Sequence, residues 1–382
     1  MASVANPKLV KELKALGSED LEACFNCGNC TAVCRLTEGD SVFPRKVIRY
    51  AQLGLADRLA ESPEPWLCYY CGECTATCPR QAGPGEFMAA ARRYAVAQAD
   101  PTKLSLAMFR YPAVAVGVTL LLAVIFGLFL LTAPAHGGPE HWIFTWIPYE
   151  TIHNIGLGVG AVLVVLMALG VVNALRRFTA SLGGLGALKK IPAAQHAQAL
   201  KRLAGELVTM RRHGNCEDPE DTATPWYLTP RIVHWTIMWG FFGLLGATTW
   251  DFVVGYLMQH PWFLPARVLG TVSGLVMLYG VSISLARRMK NQDPPYQHSV
   301  LADWWLLIFL LVLAVTGFWL ELAVSFHWQG AAQEIVLLVH TVMALELVLL
   351  VTLTKLAHVL YRPLALLIAF EKEAAAGAQN PS

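Results

Sequence analysis

Residues 24–34 read Cys24-Phe25-Asn26-Cys27-Gly28-Asn29-Cys30-Thr31-Ala32-Val33-Cys34. Residues 68–78 repeat the spacing as Cys68-Tyr69-Tyr70-Cys71-Gly72-Glu73-Cys74-Thr75-Ala76-Thr77-Cys78, followed by Pro79. Eight of the nine cysteines lie in these two C-x2-C-x2-C-x3-C runs, so they serve one chemistry. Three sulfurs at i, i+3 and i+6 on a tight turn can point at three corners of one small body, and the fourth corner must be filled from a distance. Structural zinc favours two separated C-x2-C pairs or mixed Cys/His sets. A disulfide framework suits a short secreted chain.

The spacing is that of 4Fe-4S ligands in two-cluster ferredoxins, where the fourth cysteine of each run ligates the cluster of the other. The expected sets are Cys24, Cys27, Cys30 with Cys78, and Cys68, Cys71, Cys74 with Cys34. Gly28 and Gly72 follow the second cysteine of each run, either as plain turn glycines or to offer backbone amides to cluster sulfur. Between the runs, Phe43 to Leu55 opens with a proline and sets Val47, Ile48, Ala51 and Leu55 on one face, and a second helix is predicted over about Glu86 to Gln98. Neither stretch alternates as a strand does, so residues 1–105 are predicted to form an α-helical ferredoxin module and the chain to be all-α. Arg45, Lys46, Arg49, Arg92 and Arg93 read as solvated helix faces or as a guide for an acidic partner.

With 55% hydrophobic and 15% charged residues among 382, most of the chain suits lipid rather than water. The net charge of +2 gives no sign of nucleic-acid binding. The first twenty residues hold no apolar h-region and no small-residue cleavage site, so no secretory signal is expected. Six apolar stretches approach the roughly 20 residues needed to cross a bilayer: Pro112 to Thr132, His153 to Leu175, Ile232 to Met258, Val268 to Ala286, Trp304 to Val324 and Ile335 to Leu360. Together they make a membrane domain over 106–365, with a loop over about 178–230 and a tail over 366–382. Arg176, Arg177, Lys189, Lys190, Lys201, Arg202, Arg211, Arg212 and Arg231 lie between spans 2 and 3, and Arg287, Arg288 and Lys290 between spans 4 and 5. The positive-inside rule puts these loops, both termini and the cysteine-rich module in the cytoplasm, with a multi-pass domain in the cytoplasmic membrane. Trp142, Trp146, Tyr149, Trp262 and Trp328 would form the opposite interfacial belt. In the long loop, Leu200, Leu203, Leu207 and Met210 form an apolar stripe that could lie on the membrane or dock a partner. Cys216 sits nearby in an acidic turn with Glu217, Asp218, Pro219 and Glu220, as a lone free thiol.

Four histidines fall inside the spans. His340 and His358 are 18 residues apart on span 6, five turns along one face of a continuous helix and about 27 Å apart along its axis. Topology puts His153 at the outer level with His340, and His234 at the inner level with His358. These pairs would bind two bis-histidine b haems, since polar side chains in lipid are costly and tend to be functional. His136 or His141 could replace His153. Arg231 and Arg362, one turn from His234 and His358, are the expected propionate contacts. Gly156, Gly158 and Gly160 would leave room for a macrocycle or a close helix.

The cysteine runs with the Pro44-Arg45-Lys46-Val47-Ile48-Arg49 segment resemble the C subunit of heterodisulfide reductase. The six spans resemble the cytochrome b subunits of heterodisulfide reductase and respiratory nitrate reductase. The fusion of both is similar to the C subunit of the quinone-interacting membrane-bound oxidoreductase, Qmo. This resemblance implies two 4Fe-4S clusters, two b haems, menaquinone chemistry and flavin-bearing partners like the A and B subunits of Qmo, linked to adenylylsulfate reductase. The sequence departs from the nitrate reductase pattern in carrying His153 and His234 on different spans.

The reading is therefore a redox subunit of a quinone-linked complex rather than a stand-alone enzyme, because neither a flavin-binding glycine motif nor a further cysteine motif for disulfide chemistry is found. A quinol site needs a proton acceptor, for which Glu346, deep in span 6, and Glu321, Glu334, Asp251, Lys355 and Asp303 are candidates. The rival readings are a haem-free membrane anchor with a ferredoxin relay, a heterodisulfide-reductase-like quinone or methanophenazine oxidoreductase, a self-sufficient quinone reductase and a redox-driven ion pump.

Overall fold

Short helices joined by left-handed turns build the first hundred residues, and long apolar helices build most of the rest. The computed structural model describes residues 4–37, 42–132, 142–180, 183–217, 223–291 and 294–379, and among them the chain is helical with no strand. His136, His141, Asp218, Pro219 and Glu220 lie outside the described residues.

In the N-terminal module the expected helices run over Arg45–Gln52 and Pro84–Ala99. Both begin beside proline, whose fixed φ suits a first turn. Leu9, Leu13, Leu16, Phe43, Val47, Ile48, Phe87 and Met88 are fully or almost fully buried. They share one core with Cys30, Cys68 and Cys74, so the cysteine turns are laid on a packed floor. Arg93 is not solvated, as a bare helix face would leave it, and Lys46 is half-exposed and paired. The Lys46 Nζ lies 2.7 Å from Glu64 Oε1, and Arg93 is buried.

Six helices are long and apolar enough to cross a membrane: Pro112–Thr132, Tyr149–Ala180, Pro230–Leu257, Leu264–Lys290, Leu301–Phe326 and Ala331–Leu349, called spans 1 to 6 below. The protein is a multi-pass membrane protein. Span faces point outward with large apolar side chains, as at Leu120 (61% exposed) and Val164 (64% exposed), which only a lipid or protein environment would tolerate in such number. Spans 3 and 4 pack most closely. A Cβ on Gly240 would lie 2.6 Å from the Met277 backbone nitrogen, and one on Gly280 would lie 2.7 Å from Val233 O. By contrast, nothing lies within 4 Å of a Cβ on Gly156, Gly158 or Gly160, so these glycines do not admit a close helix within this chain.

The sixth span corrects a sequence expectation. It ends at Leu349, and a turn and a 3-10 segment, Lys355–Ala357, separate it from a last helix, His358–Gln379. His340 and His358 therefore do not share one helix, and the spacing argument over five turns fails. The physical cause lies in Thr354, whose hydroxyl donates to Leu350 O and accepts from Leu356 N, replacing backbone bonds that a continuous helix would make. The break also brings Lys355 Nζ to 2.7 Å from the buried Asp303 Oδ1. The last helix crosses the boundary expected at 365 and packs on helices Ala193–Thr209 and Glu64–Leu67.

The loop helix Ala193–Thr209 buries only part of its expected stripe. Leu203 packs on the module core and Met210 just beyond the helix is buried, but Leu200 is exposed, and Ala199 and Glu206 are buried instead. Glu206 can be buried because Tyr69 donates its hydroxyl to it and Arg212 N bonds it at 3.1 Å, satisfying its oxygens. The module is held to one end of the spans, called the inner end below for its nearness to the module, by polar ties: Arg93 Nη2 to Asp303 Oδ2 (3.4 Å), His298 Nδ1 to Glu19 Oε1 (2.9 Å) and Asn173 Nδ2 to Ala99 O (3.1 Å).

Candidate metal and cofactor site

The two cysteine runs fold alike. Asn26 and Tyr70 have φ of 67° and 59°, and Gly28 and Gly72 have φ of 95° and 89°, so each run winds through a left-handed residue on either side of its second cysteine. Only glycine takes the second of these positions without strain. A one-turn helix follows each, Asn29–Ala32 and Glu73–Ala76, and carries the buried third cysteine, Cys30 or Cys74.

The fourth cysteines cross over. Burial, with charge repulsion from Cys24, Cys27 and Cys78, pushes the Cys30 thiol up to about 11. Burial, with Cys68, Cys71, Cys30 and Cys34 nearby, pushes the Cys74 thiol up as well. Cys34 also feels Cys71, and Cys68 feels both Cys71 and Cys34. Crowded neutral thiols are what ligation converts to thiolates with proton release. Among the described residues no group of three or more His, Cys, Asp or Glu side chains is placed to hold a single metal ion. A cubane takes one cysteine per iron, so its ligands stand at separate corners, and the four-plus-four arrangement fits that group.

Cys216 is not isolated. Its thiol reaches Cys71, holding the Cys71 pKa down while burial and that neighbour push its own up. Sequence offered no signal for this beyond an unassigned ninth cysteine, since 145 residues separate the pair.

The inner histidines meet. The His234 and His358 ring centroids are 6.2 Å apart. Two imidazoles holding one metal, each with a nitrogen about 2 Å from it, would have ring centroids roughly 6 Å apart, so this pair could hold a metal-bearing group between its rings. His358 Nδ1 lies 2.7 Å from Lys355 O, a bond to a carbonyl that puts the proton on Nδ1 and leaves the Nε2 lone pair free to accept. His234 Nδ1 faces Met210 Sδ at 3.4 Å. A third histidine, His213, joins them with its ring 5.8 Å from His234. His213 stacks at 4.5 Å and 13° on Tyr69, the residue after Cys68. Arg362 lies 3.6 Å over the Tyr69 ring and bonds Cys68 O at 3.4 Å. Buried Nη2 of Arg362 and Nδ1 of His213 have no partner. The expected contact Arg231 instead spends Nε and Nη2 on Thr209 O, at 2.9 and 2.6 Å. His213 went unnoticed in the sequence because it lies outside the spans, in the short helix Arg211–Gly214.

The outer histidines have different surroundings. His153 stacks on Tyr256 at 4.6 Å and Phe252 at 6.0 Å. Its Nδ1 faces Tyr149 O at 2.9 Å and its Nε2 faces Asp251 Oδ2 at 3.5 Å. His340 Nδ1 lies 2.9 Å from Thr316 Oγ1, which leaves Nε2 available. Of the carboxylates, Glu321 pairs with Arg267 Nη2 at 2.6 Å, Asp251 accepts from Tyr149 at 3.2 Å and Glu334 accepts from Trp146 N at 3.3 Å. Glu346 is 1% exposed with a buried oxygen that has no partner. Beside the helix break a cavity of about 300 Å³ opens where spans 1 and 5 begin, lined among others by Phe109, Arg110, Leu301, Trp305 and Thr354.

The 4Fe-4S dicluster domain family matches residues 23–82, and the citrate utilization protein B family matches residues 99–379. Part of the chain also matches curated relatives. The C subunit of the H2:CoB-CoM heterodisulfide, ferredoxin reductase of Methanothermobacter thermautotrophicus is 37% identical over 57 residues, covering 15% of this chain and 31% of the relative. A protein of Archaeoglobus profundus described as like the heterodisulfide reductase C subunit is 40% identical over 60 residues, 15% and 32% of the two chains. The iron-sulfur C subunit of the Methanopyrus kandleri CoB-CoM heterodisulfide reductase is 33% identical over 70 residues, 16% and 36%. The matched segment spans about a third of each relative's length. No solved structure matches the chain. The N-terminal domain is thus an iron-sulfur, electron-transfer domain like that of the heterodisulfide reductase C subunit.

Proposed function

The chain belongs to the citrate utilization protein B family, and we propose that it is the membrane subunit of a quinone-linked oxidoreductase, joining a soluble redox partner to the quinone pool. The observation that carries this reading is the contact between the His234–His358 pair and the Cys68 run, through Tyr69, His213 and Arg362. When bound, two 4Fe-4S clusters and two b haems would supply one-electron steps that a chain of ordinary side chains lacks.

The residues of the chain would hold and orient those groups. Cys24, Cys27, Cys30 and Cys78 form one cluster seat, and Cys68, Cys71, Cys74 and Cys34 the other. His234 and His358 form the inner haem seat, with Arg362 turned toward it by its place one turn along the same helix. His340, with Nε2 available, would contribute to an outer seat. His153 would have to turn Nε2 away from Asp251 to join it. The positive loops support a cytoplasmic position for the module, which packs against the same inner ends that carry them. The cavity beside Thr354, apolar with Arg110 at its edge, suits a quinone headgroup such as that of menaquinone. The ion pair Lys355–Asp303 adjoins that cavity.

The family's description, citrate utilization protein B, favours a soluble redox partner that takes part in citrate utilization. The heterodisulfide reductase likeness favours a second reading, in which Qmo-like flavin and iron-sulfur subunits connect the chain to adenylylsulfate reductase. Purification of the complex from native membranes tests both, by partner identification, iron assay and a reduced-minus-oxidised spectrum. About two b haems and eight cluster irons per chain are expected. Fewer than one haem per chain in an intact preparation would leave the haem-free anchor as the answer.

A further inference from the structure

We propose that the cluster seat of Cys68, Cys71, Cys74 and Cys34 is the membrane-proximal one, coupled to the His234–His358 pair through Tyr69 and His213. The seat of Cys24, Cys27, Cys30 and Cys78 is then the distal one, which faces the soluble partner. This order rests on the relay reading above and goes beyond it.

The internal repeat makes the case, because equivalent positions of the two runs have opposite surroundings. Tyr69 follows the first cysteine of the second run, and Phe25 follows the first cysteine of the first run. Tyr69 is sandwiched between Arg362 at 3.6 Å and His213 at 4.5 Å, with its hydroxyl donated to Glu206. Phe25 is 62% exposed and adjoins the exposed Cys27, among the exposed cations Arg45, Arg49 and Arg80.

From Tyr69 the contacts close into a ring. His213 reaches His234, His234 reaches His358, the next turn of the last helix carries Arg362, and Arg362 returns to Tyr69 and Cys68 O. The ring joins four separate parts of the chain: the cysteine module, the loop before span 3, span 3 itself and the last helix. His213 is 8% exposed and its Nδ1 has no partner. A leucine or phenylalanine would fill the same space without leaving a buried polar atom unsatisfied. A histidine at this place is explained by its contact with the ligand pair rather than by packing. The exposed face around Phe25, apolar at its centre with a basic rim, fits a partner with an acidic rim.

The test uses the full-length chain in membranes, with Cys27→Ser and Cys71→Ser chosen because both cysteines are exposed. A reduced cluster close to the inner haem relieves microwave saturation of the low-spin haem signal in electron paramagnetic resonance. Relief is expected in the wild type, persisting in Cys27→Ser and lost in Cys71→Ser. The converse pattern overturns the order alone, whereas a wild type without a low-spin haem signal overturns the relay reading itself. Should a cysteine variant fail to fold, His213→Leu and His213→Phe keep all ligands. Cluster reduction by quinol should slow by about tenfold in His213→Leu and recover in His213→Phe, which restores the stack. An unchanged rate and haem spectrum in His213→Leu overturns the coupling. Phe25→Ser should leave that internal rate intact and slow transfer to the soluble partner.

Discussion

The inner and outer ends of the span bundle carry equal numbers of candidate histidines and differ in nearly everything else. At the inner end, His234 and His358 lie ring to ring, backed by a bond to Lys355 O and surrounded by unpartnered buried donors. At the outer end, His153 is enclosed by Tyr149, Phe252 and Tyr256 with both nitrogens engaged. The difference teaches that level along the spans is a weak guide to which histidines meet. The inner pair is made by a helix break and by contact with the cysteine module, neither of which the outer end has.

The comparison can be broken most severely through the module that organises the inner end. Cys30→Ala or Cys74→Ala should each remove about half of the cluster iron, and because both side chains lie in the module core, iron assay and thermal melting should fall together. Iron retained at wild-type level in both would remove the metal reading of the inner end. Next come the haem seats. His234→Ala and His358→Ala should delete the same b-type component of the reduced-minus-oxidised spectrum, and His153→Ala should spare it. Loss of one shared component from His153→Ala and His358→Ala would instead pair the ends across the membrane.

Stability supplies the smaller effects. Asp303→Ala leaves Arg93 and Lys355 without their buried partner, and with Lys355 half-exposed the cost should be about 2–4 kcal/mol, read as a lower melting temperature in detergent. Gly240→Leu, which would collide with the Met277 backbone, should cost about 1–3 kcal/mol, whereas Gly158→Leu on the open face should stay within about 0.5 kcal/mol. A large effect at Gly158 would mean that something outside this chain covers that face.

The smallest expected effect is one of pH. Burial raises the Glu64 carboxyl, but Lys46 Nζ at 2.7 Å and the Ser62 hydroxyl more than offset it and hold Glu64 below its usual range. A carboxyl with a depressed folded pKa contributes stability that is complete above its unfolded pKa and lost as pH falls through the folded one. Wild type should therefore lose stability between about pH 5 and 3, and Lys46→Met should be less stable at neutral pH and lose less over that window. Equal slopes would show that the pair is too weakly coupled to matter.

Much of the fold was legible because its signals are local. The cysteine spacing marks two turns that fold alike down to the φ of Asn26 and Tyr70, and span 1 begins and ends at the residues its apolar run names. The helices expected from about Glu86 and Ile232 begin two residues earlier, at Pro84 and Pro230, where proline's fixed φ suits a first turn. What failed was extrapolation along a helix. The apolar run from Ile335 to Leu360 reads as one span because hydropathy cannot register that Thr354 will bond its own backbone or that Lys355 will turn to Asp303 on another helix. The same is true of the loop helix, where Glu206 is buried by Tyr69, 137 residues away.

By itself the amino-acid sequence determined the class of chemistry, the helical character and the six crossings, since these depend on residue type, short spacing and apolar length. Only the tertiary structure decided which distant groups meet: Cys216 with Cys71, His213 between Tyr69 and His234, Lys355 with Asp303. The physical reason is range. Turn geometry and hydrophobic length act over a few residues, whereas a buried charge or an imidazole finds its partner wherever packing of distant helices brings one within about 3–4 Å.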